Sequence, residues 1–572
     1  MQHSLFIILA CLASLSHSAQ LNGPVWAKSL GGNGSILASS LAIDPATGDT
    51  YVTGDFYGDI DFDPGAGTTT FSSNSTSAYV AKYNANGELQ WAVPFSSFND
   101  GGNNATREIS LNSGYLYVYG KFDGTVDFDP GSGVHEVSSE STTDLFVLKL
   151  DTSGNFQWVS TVTSETTFDA RMLSVDTGVN GGVYITGNFE GLQEFDPNND
   201  AYDFIATYQG DGYVCKFDLD GNFLWAITMR SHLEGMVEGV LASDAGNGHC
   251  FIFGQYYWDM DFDTGATELF IDEDDDNSIE GFVAELDENG AVVWYKILYS
   301  SNDIHLYGFA KEGALVITGD FKGTVDFDPG PGEDLRTSVG FWKDVFVLKL
   351  DLQGNYEWVY TAGGDEYDYG WDIAVNNTGM IFGIGTFEEG MDFDGDADTL
   401  NTTEYGEADV FVIQMSPGGT LLDVQTIGGS TQENSSAIAA DNNGHVYATG
   451  FYRSDVCNAG NFELENALPG DFAFDVFLVQ YSLEGFIETV DETNTHDIRV
   501  YPNPADDALW IEAQQAGDPS EITLYDATAK RVLTTQLIGQ RCKIDISKLE
   551  AGVYTLAVAN KSGVRVKKVV LE

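Results

Sequence analysis

Aspartate pairs separated by a single phenylalanine recur along this sequence, in the pattern Asp-Phe-Asp. Residues two apart on a β-strand share one face, so both carboxylates of a pair project to the same side. Adjacent carboxylates repel each other unless a cation or hydrogen-bond donors compensate. Calcium, which takes about six to eight oxygen ligands, suits such a site. The pattern therefore makes calcium a candidate cofactor at the copies that continue with Pro-Gly: Asp61 and Asp63, Asp127 and Asp129, Asp326 and Asp328.

Weaker copies of the pattern occur elsewhere, and one of them is the best single calcium candidate. These copies are Glu194-Phe195-Asp196, Asp261-Phe262-Asp263 and Asp392-Phe393-Asp394. The last copy begins a run of alternating aspartates spaced like the first ligands of a calcium-binding loop: Asp392, Asp394, Asp396 and Asp398. The run departs from the EF-hand pattern, because its glycine is misplaced and Thr403 stands where a glutamate is expected.

Turn formation is the competing interpretation of these aspartates. An aspartate before Pro-Gly accepts a hydrogen bond from a nearby backbone amide, and the proline fixes φ for the turn. The residue types favour the turn and leave calcium open.

Signatures of known catalytic sites are missing from the sequence. It contains no HExxH, no GxSxG, no P-loop and no Rossmann glycine pattern. A pair of carboxylates acting as acid and base, as in glycosidases, remains an alternative. It rests only on the number of acidic residues, which is 88, because no motif supports it. The sequence leans away from an enzyme.

The charge is extreme and unevenly distributed. The chain has 25 Lys and Arg against 88 Asp and Glu, a net charge of −63. Residues 498–572 hold 10 of the basic and 9 of the acidic residues, which leaves the preceding body at −64. A body this acidic repels nucleic acid and anionic lipid headgroups. The contrast with the nearly neutral tail predicts two domains.

The first 19 residues have the features of a secretory signal peptide. Leu5–Leu15 is an apolar segment of the expected length, followed by small residues up to Ala19. No later apolar run approaches the roughly 20 residues that cross a bilayer. The remaining cysteines are Cys215, Cys250, Cys457 and Cys542, for which disulfides stay open and buried free thiols are favoured.

A repeat of 65 to 67 residues organises most of the chain. Its marker is a glycine that ends a short apolar strand: Gly54, Gly120, Gly187, Gly254, Gly319, Gly385 and Gly450. Each copy has the pattern of four short strands joined by tight turns, which predicts a seven-bladed β-propeller over residues 20–488. A strand at Trp26 precedes the first copy and would complete the last blade, closing the ring.

Segments such as Ala437–Gly450 resemble the bacterial SBBP-type β-propeller repeat. The resemblance covers roughly residues 20–489 and implies the propeller fold. It implies no particular activity, because propellers host many unrelated functions.

A second resemblance follows a polar linker at residues 489–497. Val500-Tyr501-Pro502-Asn503-Pro504, Ile546–Leu556 and the terminal Lys567–Glu572 stand in the order and spacing of the type A sorting domain of type IX secretion substrates. Alternating apolar residues predict a small β-sandwich over 498–572. The resemblance implies the type IX secretion machinery as a partner, a secreted or outer-membrane surface location, and attachment to surface lipopolysaccharide after removal of the domain.

These features predict a secreted or surface-displayed propeller that binds a glycan or protein ligand. Two alternatives remain: a secreted polysaccharide hydrolase or lyase with a carboxylate site in the propeller, and a structural surface-layer component.

Overall fold

Short runs of β-branched and aromatic residues between glycine turns form the elements of this chain, as expected for such composition. The computed structural model describes residues 20–483, with its longest gaps at 165–173, 263–269, 272–277 and 395–405, and most of the segment 498–571. Every element named within these residues is a strand. The predicted signal peptide and the linker at 489–497 lie outside the described residues. None of the described segments forms a helix long and apolar enough to cross a membrane.

The chain divides into two compact units, of which the first is Leu21–Leu483. In its first three repeats the strands are β1 (Trp26–Ile43), β2 (Thr50–Asp61), β3 (Thr70–Tyr83), β4 (Leu89–Phe95); β5 (Ala105–Asn112), β6 (Tyr115–Phe122), β7 (Thr125–Asp127), β8 (Glu136–Ser138), β9 (Asp144–Asp151), β10 (Phe156–Ser164); β11 (Ser174–Thr177), β12 (Gly182–Phe189), β13 (Leu192–Glu194), β14 (Asp203–Ile205), β15 (Asp211–Asp218) and β16 (Phe223–Ser231).

The fourth to seventh repeats continue in the same order. Their strands are β17 (Glu234–Ala242), β18 (Cys250–Tyr257), β19 (Met260–Asp261), β20 (Phe270–Ile271), β21 (Ile279–Leu286), β22 (Val292–Leu298); β23 (Asp303–Lys311), β24 (Leu315–Lys322), β25 (Thr324–Asp326), β26 (Leu335–Thr337), β27 (Asp344–Leu350), β28 (Tyr356–Gly364); β29 (Asp368–Val375), β30 (Ile381–Phe387), β31 (Met391–Asp392), β32 (Asp409–Met415), β33 (Leu421–Gly429); β34 (Glu433–Ala440), β35 (His445–Tyr452), β36 (Val456–Ala459), β37 (Phe462–Glu465) and β38 (Asp475–Ser482).

The repeated glycine stands where the first strand of a repeat presses against the second. A Cβ on Gly54 would lie 2.0 Å from the carbonyl oxygen of Leu37, and one on Gly450 would lie 2.1 Å from that of Asn434. Because real Cβ atoms do not approach backbone this closely, only glycine fits. The spacing seen in the sequence is therefore a record of close strand packing.

Tryptophans of the fourth strands join consecutive repeats. The indole of Trp158 packs on Gly221, a residue with φ +83°, and its N–H donates to the carbonyl of Leu219 at 3.0 Å. Trp225 repeats the arrangement with Gly290 and Glu288 in the next repeat. The tryptophans thus fill space between consecutive repeats.

The same contact of a tryptophan with a glycine of the neighbouring repeat, here called a joint, links the last repeat to the first. Residues 26–30 of β1 pair with β38, a third strand, in the position that a fourth strand takes elsewhere. Trp26 donates to the carbonyl of Ala85 at 3.0 Å and packs on Gly87, as Trp158 and Trp225 do with their own partners. The first strands contact one another in a closed cycle: β1, β5, β11, β17, β23, β29, β34 and again β1.

Apolar side chains fill the spaces between adjacent repeats. One cluster, for example, combines Tyr51 and Val80 of the first repeat with Ile109, Val118 and other residues of the second. Each sheet therefore buries both faces, which a single isolated sheet cannot do.

The second compact unit includes Glu484–Glu572. One sheet contains β39 (Ile498–Tyr501), β40 (Ala508–Ala513) and β43 (Arg541–Asp545); the other contains β41 (Ser520–Tyr525), β42 (Arg531–Leu537), β44 (Gly552–Asn560) and β45 (Gly563–Leu571). Both sheets contribute to one core, in which Leu509 and Ile511 pack with Ile522, Leu524 and Leu556. Two sheets therefore share one apolar core in this unit.

Candidate functional site

A cavity of about 450 Å³ lies among the first strands of all seven repeats. This volume falls within the usual range for small-molecule sites. The lining residues come mainly from β1, β5, β11, β17, β23, β29 and β34. Every repeat therefore contributes to the surface of this cavity.

β-bulges aim side chains at this cavity. In six first strands the pairing with the second strand skips one residue at the same position of the repeat. A bulge re-aims a side chain and often lies beside a functional site. The skipped residues all line the cavity, and they differ from repeat to repeat: Ser39, Arg107, Glu238, Tyr307, Trp371 and Ser436.

Two carboxyl groups of the cavity wall follow directly after bulges. Glu108 accepts a hydrogen bond from the backbone N–H of Val175 at 3.0 Å, and Asp372 accepts one from Ile438 at 2.8 Å. Burial raises the pKa of Glu108 to about 8 and that of Asp372 to about 7. Each side chain therefore links its own first strand to the next one, and each keeps its proton more readily than a carboxyl in water.

Polar residues after the repeated glycines support the bulge residues. Arg107 forms an ion pair with Asp55 at 3.1 Å. The amide of Gln255 donates to Glu238 at 2.7 Å. Asp55 and Gln255 both stand directly after a repeated glycine, so this position supplies a second layer around the cavity.

Six rings form a continuous chain from the cavity wall toward a loop between β26 and β27, here called the aromatic arc: His305, Tyr307, Trp371, Tyr369, Tyr367 and Trp342. Neighbouring ring centroids are 6.1, 4.8, 5.5, 5.9 and 4.6 Å apart in that order. Tyr307 and Trp371 are its members that line the cavity. Each of the six is partly exposed, so the arc remains accessible along its length.

A buried aspartate holds His305, the first ring of the arc. Asp320 is fully buried, and its Oδ1 lies 2.9 Å from Lys343 Nζ and 3.0 Å from His305 Nδ1. Lys343 Nζ also lies 5.6 Å from the ring centre of Tyr369. Burial and the negative charge of Asp320 raise the pKa of Tyr307, so this tyrosine keeps its hydroxyl proton. The cluster combines aromatic surface with hydrogen-bonding groups.

The predicted Asp-Phe-Asp-Pro-Gly copies form hairpin turns. Asp127 Oδ1 accepts hydrogen bonds from the backbone N–H groups of Asp129 and His135, at 3.0 and 2.7 Å. Asp129 accepts one from Gly131 at 2.8 Å. The other two copies make the same bonds, through Asp61, Asp63, Asp326 and Asp328. Backbone donors thus compensate these carboxylates in the way the turn interpretation requires, and calcium binding stays a prediction.

The run beginning at Asp392 is described only in part. Asp392 accepts a hydrogen bond from the N–H of Asp394 at 3.2 Å, whereas Asp396 and Asp398 lie outside the described residues. Within the described part of the chain, no three His, Cys, Asp or Glu side chains converge as metal ligands do.

A second repeated carboxyl was missed by the sequence reasoning. Every third strand except β3 carries an acidic residue near its start: Asp144, Asp211, Glu280, Asp344, Asp409 and Asp475, all buried. Each accepts a hydrogen bond from a backbone N–H of a nearby loop or strand end; Val339 donates to Asp344 at 2.8 Å and Ala467 to Asp475 at 2.7 Å. The sequence did contain a signal for these carboxyls: each acidic residue stands two positions before the aromatic residue of its third strand.

Two lysines and two histidines of the body have local roles. Lys149 and Lys349 donate to carbonyls of the next repeat, at 2.8 and 3.1 Å. His249 bonds Glu285 and His445 bonds Asp441. The four cysteines that follow the predicted signal peptide are free thiols, and three of them are buried.

Comparison with known proteins separates the tail from the body. Residues 499–572 match the family model of the secretion system C-terminal sorting domain. Over 404 residues the chain is 20% identical to an uncharacterized WD repeat-containing protein of Acanthamoeba polyphaga mimivirus, covering 58% of this chain and 28% of that protein. The chain thus spans little more than a quarter of the curated relative it matches.

Solved structures with similarity are distant. A member of the DUF4221 family from Bacteroides vulgatus is 10% identical, with a TM-score of 0.30, over 82% of this chain and 98% of that chain. The full extracellular region of plexin A4 is 8% identical, with a TM-score of 0.35, over 95% of this chain and 53% of that chain. Residues 499–572 are a C-terminal sorting domain of type IX secretion, and the protein is secreted or displayed at the cell surface.

Proposed function

We propose that Leu21–Leu483 is a seven-bladed β-propeller of the SBBP type, closed by β1. Two observations support this proposal: the cyclic contacts of the first strands and the pairing of residues 26–30 with β38. An open array would leave unpaired strand edges at both ends.

The body is a binding module for a glycan, held in the central cavity. The observation that carries this proposal is the set of bulge residues, which point into one cavity and differ between repeats while the surrounding frame stays the same. They offer aromatic surface at Tyr307 and Trp371 beside hydroxyl, guanidinium and carboxyl groups. A sugar ring has apolar faces and a polar rim, so this combination suits it well.

A glycan-binding screen with the purified full chain tests this function. Trp371→Ala removes aromatic surface at a bulge and should abolish binding, while Trp371→Phe should restore part of it. Binding unchanged in Trp371→Ala, or no glycan bound by the natural sequence, would contradict the proposal. A protein ligand bound in place of a glycan is the alternative outcome.

A polysaccharide hydrolase or lyase is the second candidate, favoured by Glu108 and Asp372. Both carboxyls line the cavity, and their raised pKa values would let one act as an acid near neutral pH. Incubation with polysaccharides, followed by analysis of released oligosaccharides, tests it. Products lost in Glu108→Gln would establish catalysis; binding without products would favour the binding module.

This proposal also includes processing of the protein after it has crossed the outer membrane. The sorting domain is of type A, is removed after transport, and the body is linked to surface lipopolysaccharide. The mass of the surface form tests this: a body lacking residues 499–572 and carrying added lipopolysaccharide is expected, whereas an intact chain would contradict it.

A further inference from the structure

The aromatic arc extends well beyond the cavity that the proposed function uses. From Trp371 it continues through Tyr369 and Tyr367 to Trp342, with ring centroids never more than 5.9 Å apart on this path. Trp342 belongs to the segment between β26 and β27, outside the cavity lining. A ligand confined to the cavity would not reach that outer end.

The rings of the arc are not required by the repeat. At the bulge position of Trp371, other repeats have Ser39, Arg107, Glu238 and Ser436. Two residues earlier, where the sixth repeat has Tyr369, the first and second repeats have Leu37 and Ala105. Since the first strands of other repeats form the same bulge without aromatic residues at these positions, packing alone does not account for the rings of the arc.

Exposed apolar side chains flank the outer end. Phe341, next to Trp342, is 83% exposed; Val339 of the same loop is 49% exposed, and Leu335 at the start of β26 is 59% exposed. On a protein surface this acidic, neighbouring exposed apolar residues mark an interaction site. The apolar surface therefore continues from the cavity to the solvent along one path.

The chemistry beside the path selects the ligand. Glu388 has a raised pKa from burial and from the nearby charges of Glu366 and Glu407, so the surroundings of the arc are acidic. Together with the body charge this disfavours sulfated or uronic-acid polymers. Lys343 and His305, both bonded to the buried Asp320, are partly exposed beside the rings, where the hydroxyl groups of a neutral sugar can bond to them.

We infer that the aromatic arc is a row of subsites for a linear, neutral polysaccharide whose end occupies the central cavity. This inference rests on the proposed glycan-binding function and adds the ligand class and its direction. Each further sugar residue reaches another ring, so affinity grows with chain length until the arc is filled. A ring contact worth about 0.5–1.5 kcal/mol corresponds to a gain of roughly twofold to tenfold per step.

Calorimetric titration of the full chain with neutral oligosaccharides of increasing length tests the inference. The probes are mono- to hexasaccharides of β-1,4-linked glucose, of β-1,4-linked N-acetylglucosamine and of mannose. The dissociation constant of the series that binds should fall several-fold with length and then level off.

Variants at the two ends of the arc separate the subsites. Trp342→Ala and Tyr367→Ala should weaken the longest oligosaccharides about tenfold and leave the shortest binder unchanged, whereas Trp371→Ala weakens all lengths. Tyr367→Phe keeps the ring and should bind like the natural chain. Tyr57→Ala removes a tyrosine that is 55% exposed outside the arc and serves as the matched control.

The possible outcomes distinguish the two proposals. If no neutral glycan of any length binds, the glycan-binding function itself fails. If short and long oligosaccharides bind equally, or if Trp342→Ala weakens every length alike in a variant with an unchanged Tm, the cavity binds sugar but the arc is not a row of subsites. Tighter binding of sulfated or uronic-acid chains would overturn the ligand class.

Discussion

The joints between repeats and the wall of the cavity are built on opposite rules. Within each repeat and at the joints between repeats the same residue types recur: a glycine where the first two strands of a repeat approach closely, and a tryptophan packed on a glycine of the next repeat. At the cavity the bulge position recurs, but its side chain changes from serine to arginine, glutamate, tyrosine or tryptophan. Recurring residues therefore maintain the frame, and the variable ones are free to serve a ligand.

The largest effect is expected at a repeated glycine. In Gly54→Ala the new Cβ would lie 2.0 Å from the carbonyl oxygen of Leu37, so the strands must separate, at a cost of about 3 kcal/mol or more. Chemical denaturation measures the loss. Gly23→Ala, with no atom within 4 Å of the new Cβ, is the control and should change little; equal stability of both variants would refute close packing as the reason for the glycine.

Replacing a tryptophan between repeats and a tryptophan of the cavity, each by alanine, separates the two roles. Trp158→Ala removes the contact with Gly221 and the hydrogen bond to Leu219, and should lower stability by about 2–3 kcal/mol without affecting ligand binding. Trp371→Ala should do the reverse. Thermal unfolding and titration on both variants give the four values needed; a similar loss of stability in both would show that the arc is structural.

Stability should rise as the pH falls from about 8 toward 5. Burial, together with the nearby Asp344, raises the pKa of Asp368 to about 8, and burial raises that of Asp344 to about 7. Carboxyls with raised pKa values bind protons more tightly in the folded state, so their contribution is present at low pH and is lost as the pH rises through these values. Asp368→Asn should flatten the Tm profile in this window.

The exposed Asp365 provides the control for net charge. Asp365→Asn removes the same charge from a neighbouring surface position and should leave the shape of the profile unchanged. A profile that flattens equally in both variants would assign the pH dependence to overall charge repulsion instead.

The smallest effect is expected at the Asp-Phe-Asp hairpins. Asp127→Ala removes the acceptor for two backbone N–H groups and should cost about 1 kcal/mol, with Asp127→Asn close to the natural chain. If calcium binds there, EDTA lowers the Tm of the natural chain and excess calcium raises it. A Tm indifferent to both would leave the turn as the only role.

The sequence predicted the frame better than the site. Fixed spacing identified the repeated glycines and the strand at Trp26, because each follows from a local pattern repeated at one interval. The cavity residues could not be found that way: Arg107, Glu238 and Trp371 share a position without sharing a residue type, and a bulge is visible only in strand pairing. The arc packs Tyr307 and Trp342 of the fifth repeat against Trp371 and Tyr367 of the sixth, and no local pattern encodes such contacts between repeats.

Sharing β1 between the last and the first repeat has a consequence for how the body acquires its stability. Residues 26–30 find their partner strand only at residues 476–480, so the first and last repeats depend on each other. If the ring opens between any two repeats, two strand edges lack a partner strand and can pair with other chains, which promotes aggregation. The body should therefore unfold and refold as a single cooperative block, and a protease that cuts within residues 26–30 would loosen a repeat encoded more than four hundred residues away.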